Sequence, residues 1–132
     1  MAVKIIISLL VAIFIQVTVV KADECVTVDS YVAGLAKERI ALRGSTSAAT
    51  EKLAKLFNQN RAARGQPAAE VSIFLFGLVT ADNGNQAILA AAADKNGCVI
   101  PKTVTLLSLR QWAEFMTAAG VSISEIIPMD GA

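Results

Sequence analysis

The side chains best able to do chemistry in this 132-residue chain are carboxylates, because it contains no histidine. Without imidazole there is no Ser-His or Cys-His pair and no histidine-ligated metal. A serine with a lysine base would need S-x-x-K, but Ser45, Ser47 and Ser108 all lack a lysine three residues on. Phosphate cradles of the forms G-x-x-x-x-G-K-[ST] and G-x-G-x-x-G are missing as well. Glu70, Asp82, Asp94 and Glu114 remain as candidates. A pair held about 5–9 Å apart would suit glycoside hydrolysis. Asp82 and Asp94, however, fall in Asp82-Asn83-Gly84-Asn85 and Asp94-Lys95-Asn96-Gly97. In such turns aspartate hydrogen-bonds its own backbone. The same oxygens do not follow the D-x-[DN]-x-[DN]-G-x₅-E spacing of a calcium loop. No catalytic residue, cofactor or metal is assigned from the sequence.

Charge is the feature with a positive functional implication. Lys37, Arg39, Arg43, Lys52, Lys55, Arg61 and Arg64 crowd one stretch, opposed only by Glu38 and Glu51. Lys37, Arg43, Lys52 and Lys55 are the candidate surface for an anionic partner, either an envelope component or an acidic protein face. A pair of solvated helix faces would give the same charge pattern. Along a helix Lys52 and Lys55 are neighbours, as are Arg61 and Arg64. The two pairs are separated by nine residues, or about 180° of rotation, so the first helix has to complete any common patch. The only tryptophan, Trp112, reads as a core ring rather than one that stacks on a ligand.

The N-terminus carries an address. Met1-Ala-Val-Lys4 precedes the apolar run Ile5–Val20, and Val20-Lys21-Ala22 precedes Asp23-Glu24. A basic start, an apolar centre and a small residue at the cut form the pattern of a secretory signal peptide. The run is shorter than the roughly 20 residues of a membrane span. Residues 1–22 are read as a cleaved signal and residues 23–132 as one small domain. That leaves about 110 residues, enough for one core.

The whole chain has 12 basic and 11 acidic residues. Removing Lys4 and Lys21 tips the balance to one net negative charge, which argues against nucleic acid as a partner. Cys25 and Cys98 are the only cysteines. In an oxidising compartment an even pair reads as one disulfide. It would close a loop of about 74 residues, worth roughly 4 kcal/mol in the chain-entropy model.

The elements that must position these residues follow from periodicity. Val28, Val32, Ala36 and Ile40 form an i, i+4 row, predicting a helix over Ser30–Leu42 with Asp29 as cap. Arg43-Gly44-Ser45-Thr46-Ser47 breaks it. A second helix is expected over Ala48–Arg64, ended by Gly65 and Pro67. A short joint implies antiparallel packing of the two.

Val71–Val79 is apolar on both faces and reads as a covered strand. Gln86–Ala93 is ambiguous. Its alanines favour helix, its flanking turns favour strand, and strand is the reading adopted. Cys98–Thr105 is expected as a third strand, with Pro101 at an edge or bulge. Ser108 and Gln111 form a capping box for a last helix, whose buried stripe is read as Leu109, Trp112, Ala113, Met116 and Ala119. Gly120 ends it, and Val121–Met129 is a short strand or a turn.

The expected architecture is α+β: two N-terminal helices, a three-stranded antiparallel meander and a C-terminal helix. The expected protein is small, exported to the periplasm or beyond, and acts by binding rather than catalysis. A small carboxylate-based hydrolase acting on envelope polymers is the alternative.

Overall fold

The computed structural model describes residues 25–129. The expected leader, residues 1–22, lies outside them. Among the described residues three helices and a five-stranded antiparallel sheet make up an α+β fold, with the sheet covered on both faces. In chain order the elements are α1 (Val28–Lys37), β1 (Leu42–Ser45), α2 (Ser47–Ala63), β2 (Ile73–Thr80), β3 (Gln86–Ala93), β4 (Thr105–Leu107), α3 (Leu109–Ala119) and β5 (Ile126–Pro128). Across the sheet the strand order is β4-β3-β2-β1-β5.

Between the first two helices the expected arrangement is wrong, and the correction governs everything downstream. The chain does not run from helix to helix through a loop. Thr27, not Asp29, caps α1, its hydroxyl accepting from the Ser30 N–H at 3.1 Å. The helix stops at Lys37, and Arg39 turns the chain with φ of 62°. Leu42–Ser45, which spans the expected end of the first helix and the start of the expected breaker Arg43–Ser47, instead enters the sheet as β1 between β2 and β5. Pairing on both edges overrides the poor strand propensity of Gly44 and Ser45. Gly44 leaves room there for two side chains that approach closely. A Cβ on it would lie 2.6 Å from Met129 Sδ and 2.8 Å from Ile73 Cδ1.

Because β1 intervenes, the helices separate. The alternating residues Leu75 and Val79 of β2 pack with Tyr31, Val32 and Leu35 of α1 on one face. Phe74 and Phe76 pack with α2 and α3 on the other. There is therefore no antiparallel pairing of α1 with α2. The partner of α2 is α3.

In the sheet itself Gln86–Ala93 is a strand with the expected bounds, pairing with β2 along its whole length. Local propensity yields to a ladder in which Leu89 and Ala91 face one core and Ile88, Ala90 and Ala92 face the other. Asp94 makes its turn as expected, Oδ1 accepting from the Asn96 and Cys98 N–H groups at 2.9 and 3.0 Å.

The expected third strand is not continuous. After bridges at Cys98 and Val99 the chain forms a 3₁₀ turn at Pro101–Thr103 and rejoins the edge as β4. Proline has no N–H for a ladder, and Thr103 Oγ1 meets the exposed edge instead, accepting from the Ala92 N–H at 2.9 Å. The α3 capping box of Ser108 and Gln111 is formed, and Gly120 closes the helix with φ of 74°. Val121–Met129 combines a 3₁₀ turn (Ile123–Glu125) with β5, which crosses to the far edge of the sheet. The Cys25–Cys98 disulfide is present, with Cα atoms 5.1 Å apart.

Candidate ligand-binding cleft

The carboxylates do not gather. Asp82 and Asp94 stand in the turns at opposite ends of β3, about 26 Å apart at the rise of a strand. Neither can act on a bond the other reaches. Glu70 faces Lys95 at 3.3 Å and Glu114 faces Arg110 at 3.9 Å, both in exposed ion pairs. Among the described residues no three Cys, Asp or Glu side chains cluster as a metal site would need.

The four basic candidates are divided by the sheet. Lys37 ends α1 on one face, whereas Lys52 and Lys55 belong to α2 on the other. Arg43, in a central strand, donates from Nε to the Ile126 carbonyl at 3.0 Å. Lys52 reaches Glu125 at 3.8 Å and the Gly120 carbonyl at 3.4 Å, tying α2 to the end of α3. Lys55 is exposed beside a shallow groove formed with Leu56, Gln59 and Ala118.

A more enclosed concavity lies along the other half of the α2–α3 pair. It is a cleft of about 400 Å³, within the range of small-molecule sites. Phe74 and Phe76 of β2 and Ala90 and Ala92 of β3 make its floor. Phe57 of α2 and Phe115 of α3 make its walls. Phe74 is the hub. Its ring centroid lies 5.7 Å from Phe57 and 6.4 Å from Phe115, both edge-on, and 6.5 Å from Phe76, stacked. The cleft exists because β3 presents methyl groups where a helix-covered strand commonly presents larger side chains. Trp112 of α3 packs edge-on against Phe76 at 5.9 Å, beside the cleft on the same face of the sheet.

The polar rim is equally ordered. Phe57 and Asn60 of α2 and Arg64, its C-cap, fall at i, i+3 and i+7, so one stripe supplies a wall and two rim groups. Gln111 and Glu114 face them from α3. Gln111 is occupied, its Oε1 accepting from the Ser108 N–H at 2.9 Å. Arg61, one turn away, holds the Pro67 carbonyl at 2.8 Å and lies 5.7 Å from the Phe57 ring centroid.

Sequence reasoning missed Phe115, which replaces the exposed Leu109 and Ala113 in the buried stripe of α3. The signal was available: Trp112, Phe115, Met116 and Ala119 follow i, i+3, i+4, i+7. Comparison with protein-family models, curated proteins and solved structures finds no match for this chain.

Proposed function

We propose that this chain is an exported, non-enzymatic binding protein that holds a small, largely apolar molecule in the cleft between α2, α3 and the sheet. The observation that carries this reading is the concavity itself, lined by four phenylalanines and the alanine methyls of β3. Burying apolar surface against such walls is worth about 25 cal/mol per Å². The export half of the reading rests on the leader pattern of residues 1–22 and on the disulfide, which suits an oxidising compartment. Among the described residues no helix is long and apolar enough to cross a membrane. Binding rather than hydrolysis is favoured by the scattered carboxylates, each engaged in a turn or an exposed pair where a partner is seen.

A direct test uses N-phenyl-1-naphthylamine, an uncharged aromatic probe, with fluorescence of Trp112, which packs on Phe76 beside the cleft, as the reporter. The wild type should bind it saturably. Ala90→Leu, which fills the floor, and Asn60→Trp, which closes the rim from an exposed helical position, should each reduce affinity at least tenfold. Unchanged binding by both variants places the probe elsewhere and ends this reading.

A further inference from the structure

The geometry points to a ligand with an aromatic or compact apolar body and a single anionic group, the anion being held by Arg64; this rests on the cleft being the binding site. The polar atoms around the mouth are not equivalent. Thr103 is committed to the Ile100 and Ala92 backbone, and Gln111 to its helix cap. Glu114 has Arg110 as a partner. Arg64 is the only basic residue lining the cleft, and its side chain makes no ion pair or hydrogen bond with any described residue. Asn60, one turn earlier on the same stripe, stands beside it with an amide also free of described partners.

The distribution of sign sets an orientation. Arg64 marks the α2 side of the mouth as positive, and Arg61 adds a second positive charge one turn away. On the α3 side the mouth carries Glu114, a carboxylate whose charge Arg110 partly offsets from outside the cleft. An anionic head is drawn to the first and repelled by the second, so attraction and repulsion select the same pose. The apolar body then lies across Phe74 between Phe57 and Phe115. Guanidinium groups suit carboxylate and sulfonate oxygens because their donors form a planar fork. The amide of Asn60 supplies a further donor on the same side.

The Lys52–Lys55 region makes a different prediction. Lys52 is satisfied by Glu125 and the Gly120 carbonyl, and both lysines border a separate, shallower groove. An anion that recognises the cleft should be indifferent to them.

Two probes with one skeleton decide the matter. 8-Anilinonaphthalene-1-sulfonate is N-phenyl-1-naphthylamine with one sulfonate added. Both are titrated into the mature, disulfide-bonded protein by calorimetry. The sulfonate should bind on the order of tenfold tighter, as expected for one charge-assisted contact. Its affinity should fall as salt rises, while that of the neutral probe does not. Arg64→Gln should erase the difference between the two probes. Glu114→Gln should tighten the sulfonate alone.

The paired reversal Lys52→Glu with Lys55→Glu should alter neither probe. Equal affinity for the two probes, or an unchanged preference in Arg64→Gln, overturns the anionic ligand while the cleft stands as an apolar site. Loss of the sulfonate preference in the Lys52/Lys55 variant overturns it by moving the anion to the other groove. Failure of both probes to bind removes the cleft reading together with this one.

Discussion

Phe74 and Tyr31 show how an aromatic ring acquires its role from the face it occupies. Phe74 is flanked by rings and borders open space, so it is both core and cleft wall. Tyr31, on the opposite face of the sheet, is fully buried, and burial pushes its phenol pKa well above the ordinary value of 10.0. The unfolded chain therefore ionises this group first. As pH rises past about 10, the unfolded state binds fewer protons than the folded one, and stability falls. Below that range Tyr31 contributes no pH dependence. Thermal melting across alkaline pH should show a steeper loss in the wild type than in Tyr31→Phe. Absorbance of this tyrosine, the only one in the chain, should show its ionisation coinciding with unfolding. Equal slopes in the two proteins would remove the phenol from the account.

At the scale of elements, β1 is the piece that reorganises the molecule. It is four residues long, pairs on both edges and sends α1 and α2 to opposite faces. Its Ser45 is buried and satisfied, accepting from the Phe74 N–H at 2.9 Å and sharing a hydrogen bond with Thr50 at the start of α2. One glycine then allows Met129 and Ile73 to close over the strand. Gly44→Ala would force both side chains aside, and overpacking of this kind costs about 1–3 kcal/mol. Chemical denaturation should show that loss with an unchanged dependence on denaturant. Full stability would mean that Met129 moves away freely and does not seal the strand.

For the whole molecule, the disulfide joins the start of the described chain to the end of the β3 turn. Around it, the Val28 N–H bonds the Gly97 carbonyl at 3.0 Å and the Val99 N–H bonds the Val26 carbonyl at 2.8 Å. The bridge thus anchors the entry to α1, whose apolar stripe covers one sheet face. Replacing both cysteines with serine should cost about 2–5 kcal/mol. Cleft binding should survive in the fraction that remains folded, because the cleft lies on the other face. Loss of binding by a folded double-serine variant would show that the two faces are coupled through the sheet.

Local chemistry was readable from the residues alone. The Ser108–Gln111 box, the glycine at the end of α3 and the Asp94 turn depend on groups within a few positions of one another, so nothing distant could alter them. The α+β class and the Cys25–Cys98 pairing were legible too, from period changes and from an even cysteine count. Strand β1 was not. Leu42–Ser45 has little strand propensity of its own, and its hydrogen-bond partners lie more than thirty residues away in β2 and farther still in β5. Only the assembled sheet supplies those donors and acceptors. The cleft was hidden for the same reason. Phe57, Phe74, Phe115 and the β3 alanines are each ordinary in the sequence, and their convergence comes from long-range pairing that places α2 and α3 together over one face. The sequence by itself determined the α3 capping box, its glycine stop and the Asp94 turn, but not the cap of α1, which falls at Thr27 rather than Asp29. Tertiary structure alone decided which basic residue overlooks an apolar cleft, because that depends on which side of the sheet each helix covers.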